Sequence, residues 1–555
     1  MLHVTYIGLS LNEFCVKFNM MKTLIPILLF ISFHLGTIGQ TTEPFDVSIE
    51  EVSIDGLPGL HSFTRASYDN KWLLIGGRTD GLHQRQPFAA FLASDNNGIA
   101  YVVDPVNDVV YSASLSALPQ AMSDQLQSTN MQFEQRDSML YIIGGYGYSN
   151  AESDHHTYPN LSAVHVPDVM DAIINGNSIA PHFRQITDTR LQVTGGYLDR
   201  LDETYYLAGG QKFEGRYNPM GPTHGPGFVQ EYTNAIRRFQ IIDDGTNLSI
   251  SDYDAWIDSD NLHRRDYNMA PQIFPNGERG FTMFSGVFQH DQNLPWLNTV
   301  DGVDTAYAVR AGFNQYLSQY HSAHLNIFGA NDNAMHTVFF GGISRYTMDE
   351  NNQLVDDEDV PFVKTISKIV RYADDTMEEI KIGEMPGFLG SGAEFIPIEN
   401  QSWYNEDELL LIDALPSSKV LVGYIVGGIE STDENIFFVN TGSQSDASTR
   451  VFEVYIQRDA SSVTEPINGT HYFKTKLYPN PAVAQTHFTF ETPDMNNIKA
   501  ELYDMEGRLV KQLFEGSTNG ESISINTSEL STGTYIIKLS SPQYQQEIRL
   551  GVVHE

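Results

Sequence analysis

Trp72-Leu73-Leu74-Ile75-Gly76-Gly77 is an apolar run closed by two glycines, and it recurs. The same pattern reads Leu140-Tyr141-Ile142-Ile143-Gly144-Gly145, Tyr205-Tyr206-Leu207-Ala208-Gly209-Gly210, Val338-Phe339-Phe340-Gly341-Gly342 and Tyr424-Ile425-Val426-Gly427-Gly428. Phe281-Thr282-Met283-Phe284-Ser285-Gly286 fills one further slot, with serine for the first glycine. Each run has the length and composition of a fully buried β-strand. Paired glycines suit a strand end where neighbouring backbones crowd and where dihedrals forbidden to a side chain are needed.

A second strand and a polar turn precede the runs: Arg65 to Tyr68 before Asp69-Asn70, Met131 to Phe133 before Arg136-Asp137-Ser138, Ile273-Phe274 before Pro275-Asn276-Gly277, and Leu325 to Phe328 before Asn331-Asp332-Asn333. Units repeat at roughly 55 to 85 residues, longer than the ~50 of a minimal kelch repeat, which loop insertions explain. The pattern resembles kelch β-propellers, the fold of the galactose-oxidase-like family. The expected fold is therefore all-β. It is a kelch-like β-propeller over residues 40–458, with six blades, or seven if the interval from Gly342 to Gly428 holds a degenerate unit. A strand over Val47 to Val52 is placed to complete the last blade beside Arg450 to Gln457 and so protect the sheet edges. No segment outside the leader has convincing helical periodicity.

Beyond a polar linker at 459–476, residues 477–555 form a separate unit. They open with Leu477-Tyr478-Pro479-Asn480-Pro481, continue through Leu502-Tyr503-Asp504-Met505-Glu506-Gly507-Arg508, and pass Leu530-Ser531-Thr532-Gly533-Thr534-Tyr535. Short alternating strands separated by turns predict a small immunoglobulin-like β-sandwich. The ordered set resembles the type A C-terminal sorting domain with which Bacteroidota send proteins through the type IX secretion system. The resemblance implies recognition by that machinery, removal of the tail, and a product released or held on the outer-membrane surface. Pro479, Asn480, Pro481, Tyr503, Asp504, Gly507, Gly533 and Tyr535 carry the motif. The chain closes Leu550-Gly551-Val552-Val553-His554-Glu555, whereas family members usually finish with a basic residue beside a β-branched run.

The other end agrees. Met21-Lys22-Thr23 followed by the apolar stretch Leu24 to Leu35 predicts a signal peptide at 21–39, cleaved after Gly39, with residues 1–20 a misassigned upstream start. The apolar run is too short to span a bilayer. Cys15 is the only cysteine and precedes this unit, so neither a disulfide nor a cysteine metal site is expected in the exported chain. Seventy acidic against thirty-three basic residues, a formal charge of −37, argue against nucleic acid and anionic membranes as partners. The acidic run Asp356-Asp357-Glu358-Asp359 lacks the ligand spacing of a calcium loop.

Propellers hold ligands at the mouths of their central channel. Polar residues cluster where each unit opens: His61-Ser62, Ser128-Thr129-Asn130, Thr189-Arg190, His263-Arg264-Arg265-Asp266-Tyr267, Tyr320-His321-Ser322-Ala323-His324 and Ser391. Aligned on one rim, His61, Arg190, His263, Arg264, Arg265, Asp266, Tyr320, His321 and His324 make a basic site suited to carboxylate or sulfate groups, or they simply cap the loop ends. Galactose-oxidase-like enzymes bind copper through a Tyr-His pair, a second His, a second Tyr and a cysteine cross-linked to tyrosine. Tyr320-His321 matches the pair, but without a cysteine that radical cofactor cannot be built. No cofactor is expected, although a divalent metal held by His263, His321 and Asp266 is open. Tyr146, Tyr148, Tyr158, Tyr217, Trp256, Trp296 and Trp403 are suited either to stacking on sugar rings or to packing between blades. The function expected is a secreted or surface-displayed binding protein for an extracellular glycan or protein; the alternative is a carbohydrate-active lyase or hydrolase at the channel mouth.

Overall fold

A computed structural model describes residues 44–86, 88–218, 227–349, 353–458, 474–491, 498–505, 508–517, 522–540 and 545–554. The expected signal peptide, Cys15, the linker through residue 473 and Gly507 lie outside the described residues.

The chain is all-β and antiparallel, in the manner of a β-propeller. Six sheets among the described residues share one plan, four strands paired in meander order, and three of them carry a short extra strand. In each, a Gly-Gly strand or its Ser285-Gly286 counterpart is the second strand. In the first sheet Thr64–Tyr68, Lys71–Ile75, Ile99–Asp104 and Val109–Ser114 follow one another. The second strands are buried almost throughout and the fourth strands largely exposed, so burial falls from the first two strands outward. Between the third and fourth sheets Tyr206 and Phe281 pack at a centroid distance of 5.3 Å, and between the fourth and fifth Phe284 meets Phe339 at 5.2 Å. Each such ring contributes about 1.5–3 kcal/mol by burial.

The glycine pairs have a local cause. All five have positive φ at both positions, and Ser285-Gly286 follows with 57° and 101°. A Cβ on Gly144 would stand 1.9 Å from the Val193 carbonyl, and one on Gly427 2.3 Å from that of Leu60. The first glycine thus lets a strand end press against the backbone of the next unit.

Two observations show how the six sheets are joined. The strand at Phe45–Val52 pairs antiparallel with Val451–Arg458 as the outer strand of the last sheet, closing N-terminus on C-terminus. The residues just ahead of, or inside, the first strands form a closed ring of backbone hydrogen bonds. Asn130 N donates to Ser62 O, Gly195 N to Asn130 O, Asp266 N to Gly195 O, His321 N to Asp266 O, Gly392 N to His321 O, and Ser62 N back to Gly392 O, all at 2.7–3.3 Å. Five of the six have φ between 49° and 67°, a region that Asn, Asp and Gly enter most easily. Each first strand lies against those of its two neighbours, the sixth against the first.

The interval from Gly342 to Gly428 holds no seventh four-stranded sheet among the described residues. Phe362–Arg371 and Met377–Glu384 complete the fifth sheet, and Phe388–Pro397 opens the sixth. Two helices correct the expectation of none, Gln120–Leu126 and Val166–Ile174, the second burying Val166, Val169, Met170 and Ile173. No helix among the described residues is long and apolar enough to cross a membrane.

The tail holds two further sheets. One joins Lys474–Tyr478, Gln485–Glu491 and Ile523–Asn526; the other joins Leu509–Gly516, Ile498–Asp504, Gly533–Ser540 and Gln545–Val552. Between them Phe488, Leu502, Ile525, Ile537, Leu539 and Leu550 are buried. Asn480 ties the Pro-Asn-Pro segment to the last strand, its Nδ2 donating to Arg549 O at 3.0 Å and its Oδ1 accepting from Gly551 N at 2.8 Å.

Candidate functional site in the axial cavity

The first strand of every one of the six sheets faces a cavity of about 120 Å³ bounded at one end by the hydrogen-bonded ring. Residues four or five positions past the ring, such as Gln135 and Arg200, line it further along, about 17 Å down a strand. A segment inserted between the first two strands of the last sheet closes that region with Glu406, Asp407 and Glu408. It is pinned from two directions. Arg65 grips Glu408 with two parallel hydrogen bonds of 2.9 and 2.7 Å, and Arg279 grips Asp407 at 2.5 and 3.1 Å. Leu410–Leu411 adds a short parallel pairing to Ile327–Phe328.

Strand alternation turns one side chain in two toward the cavity. Arg65, Glu134, Tyr197, Asp199, His324, Asn326 and Glu394 arrive in this way, with Met269 and Pro271 from the fourth sheet and His321 from the ring. Glu394 is 6% exposed and makes one charged contact, 3.2 Å from His321 Nε2. Burial alone would lower the His321 pKa, but the Glu394 carboxylate outweighs it and raises it. His324, buried with no carboxylate so close, falls to about 4 and is neutral near pH 7. Burial pushes Asp199 up to about 7, further raised by Asp407 and opposed by the Arg200 amide and side chain. Glu134 is raised well above its ordinary value by burial and then by the charge of Asp199. Tyr197, whose ring centroid lies 6.2 Å from those of His321 and His324, is raised by burial and by Glu394. Perturbed groups clustered in one cavity mark it as the candidate site.

The rim read from the sequence comes apart at its side chains. His321, His324 and Asp266 line the cavity. The others do not. His61 turns to Ser62 and Asp80, at 3.1 and 3.8 Å. His263 stacks between Tyr232 and His290, at centroid distances of 3.7 and 4.1 Å. Burial lowers its pKa to about 4. Arg264 is fully buried, donates to Ser285 O, Asn298 O, Asn298 Oδ1 and Asn261 O, and lies over Trp296. Arg265 pairs with Asp266 and with the Tyr232 hydroxyl. Tyr320 contributes its carbonyl to Asn268. Arg190 sits on a short turn, held by Asp188 and stacked on Tyr253. The ring position in its unit is Gly195, five residues on. No guanidinium among these is left for a sulfate or carboxylate, so the basic rim is corrected to a cavity dominated by carboxylates.

Other readings resolve similarly. Arg345 takes both Asp356 oxygens and approaches Glu358, which accounts for the acidic run. Tyr146 and Tyr158 are buried, Tyr217 packs on Phe213 and Phe228, and Trp256 lies against Tyr206 and Tyr307. Among the described residues no group of three or more His, Cys, Asp or Glu side chains is placed to hold a metal ion. The residues missed were Arg65, Glu134, Tyr197, Asp199, Asn326 and Glu394. Their signal was present: polar side chains two to five residues past the unit opening, on strands that otherwise read as core.

Residues 476–552 match the family model described as a secretion system C-terminal sorting domain. No curated protein matches the chain. Among solved structures the chain is similar to YjhT, at 11% identity with 71% of this chain and 100% of that one covered and a TM-score of 0.39. It is also similar to a fungal alcohol oxidase of the AA5 family in complex with copper, at 9% identity, with 92% and 100% covered and a TM-score of 0.37. The sorting tail indicates an exported protein, secreted or surface-attached, that interacts with the type IX secretion machinery.

Proposed function

We propose that this exported chain is a glycan-binding protein of Bacteroidota type, a six-bladed kelch-like propeller that seats its ligand in the axial cavity. The observation that carries the reading is the cavity itself, lined from all six first strands by carboxylates, amides, imidazoles, the guanidinium groups of Arg65 and Arg200, and Tyr197. Such a mixture pairs with the hydroxyls of a sugar and offers it one aromatic face. A recessed seat among six strands favours a glycan terminus over a folded protein surface. The propeller spans 40–458 and the linker 459–476. The sorting domain spans 477–555 and is an immunoglobulin-like sandwich whose first strand starts inside the linker, at Lys474. Export begins with signal peptide cleavage after Gly39.

A second reading, a lyase or hydrolase, draws on the His321–Glu394 contact and on the raised pKa of Asp199 and Glu134, which supply acid and base groups in one space. The full-length protein incubated with a panel of polysaccharides separates the two. Retention on one polymer without soluble product, abolished in Glu394→Gln and kept in Arg190→Ala, supports binding. New oligosaccharides that vanish in His321→Ala support the enzyme. Retention indifferent to every cavity variant ends both readings.

A further inference from the structure

Resting on the glycan reading, we infer that the cavity selects an amino sugar, taking its primary ammonium group between Glu134, Asp199 and Asn326. Donors and acceptors in the cavity do not balance. The ring amides and carbonyls are spent on one another. Arg65 spends its two terminal nitrogens on Glu408, and Glu394 faces His321. What remains is mostly acceptor. Asn326 is 8% exposed, lines the cavity, and its Oδ1 has no hydrogen-bond partner among the described residues. Asp199 Oδ2 is likewise buried and unpartnered, its other oxygen taking the Arg200 amide at 2.7 Å.

Charge points the same way. Setting Arg65 against Glu408, His321 against Glu394, Arg265 against Asp266 and Arg279 against Glu406 and Asp407 leaves the carboxyl groups of Glu134 and Asp199 facing one guanidinium, Arg200. Arg200 turns Nη1 to the Asp202 carbonyl. An ammonium group brings three donors, no acceptor and one positive charge, the complement of this remainder. It would also take the place of the protons that burial otherwise holds on these two carboxyl groups.

The sugar is favoured over a simple alkylamine by the remaining donors. The Nε atoms of Arg65 and Arg200 are buried without acceptors among the described residues. Ring hydroxyls accept from them, and an aliphatic ammonium such as a lysine side chain has nothing to offer them. Tyr197 adds an aromatic surface at the same place.

The test is isothermal titration of the full-length protein with three probes: fully deacetylated chitosan trisaccharide, its N-acetylated counterpart and lysine amide. Acetylation removes the charge and keeps the hydroxyls. The expected result is at least tenfold tighter binding of the deacetylated sugar than of either other probe. Asp199→Asn and Glu134→Gln, near-isosteric with the parent residues, should each erase most of that preference, while Arg190→Ala keeps it. Should those variants fold poorly, the wild-type titration repeated near pH 6, where the sugar amine already carries its proton, in buffers of different ionisation enthalpy gives a second measure, with proton release expected as the ammonium enters. Equal or tighter binding of the acetylated sugar overturns the ammonium assignment and leaves the glycan reading standing. Lysine amide binding as tightly as the deacetylated sugar overturns the sugar assignment. Binding of none of the probes, with no polysaccharide retained, overturns the glycan reading itself.

Discussion

The two sides of the hydrogen-bonded ring use similar residues for opposite ends. On the loop side Arg264 and His263 are fully committed: the guanidinium to four acceptors and an indole face, the imidazole to Asn234 and two stacked rings. On the cavity side Asp199 and Asn326 each keep a buried side-chain oxygen without a hydrogen-bond partner among the described residues. Buried polar groups are normally satisfied, so an unsatisfied one that lines a cavity calls for an explanation, and a ligand supplies it. Charge alone does not reveal a site; charge without an internal partner does.

The largest effect should come from the committed side. Arg264→Ala leaves the carbonyls of Asn261, Ser285 and Asn298 without their donor and opens a void under Trp296. The expected loss is at least about 3 kcal/mol of stability, read by chemical denaturation. Its mirror image is Asp199→Asn, which should cut affinity for the cavity ligand by tenfold or more while leaving the fold intact. A stability loss in Asp199→Asn comparable to that of Arg264→Ala would erase the distinction between the two sides.

A smaller effect concerns pH. The folded state holds a proton on Asp199 up to about pH 7, whereas the unfolded chain releases it near the ordinary Asp value of about 4. Between these limits the folded state binds more protons, so stability falls as pH rises through the window. Glu379, raised to about 8 by burial despite the amides of Tyr316 and Leu317, acts in the same sense. Buried imidazoles such as His263 and His324, neutral in the folded state, oppose this below the ordinary His value of about 6.5, so the melting temperature should decline from about pH 6.5 to pH 8. Asp199→Asn should flatten the decline without abolishing it; an unchanged slope would deny Asp199 its buried, unpaired character.

The smallest effect is expected at Arg190. Its pair with Asp188 is an exposed surface contact. Arg190→Ala should cost no more than about 0.5 kcal/mol and leave ligand retention unaltered. A binding defect there would reinstate the basic rim.

The fold was legible in the sequence because the glycine pairs are steric requirements: at Gly144 and Gly427 a Cβ would collide with a neighbouring carbonyl, so the pattern survives in the letters. Closure by Phe45–Val52 was readable because apolar Phe45, Val47 and Ile49 alternate with polar Asp46, Ser48 and Glu50, the pattern of a half-buried strand. The helix at Val166–Ile174 escaped although its buried residues keep helical spacing, since Pro167 reads as a breaker yet sits in the first turn, where a helix tolerates it. The site was legible only in part. His321, His324 and Asp266 were found because they lie at the unit openings. Arg190 stood in for Gly195 because a glycine offers no polar side chain to notice. Glu134, Asp199 and Glu394 were hidden in short strands, since which face of such a strand turns to the axis depends on a register that the chain alone does not display.

The most direct measurement is a crystal structure of the full-length protein soaked with deacetylated chitosan trisaccharide. Density for one sugar inside the ring-bounded cavity, with its nitrogen near Glu134, Asp199 and Asn326, is the result predicted. Sugar bound on the loop side around Tyr232 and His263, with the cavity holding only water, would contradict it.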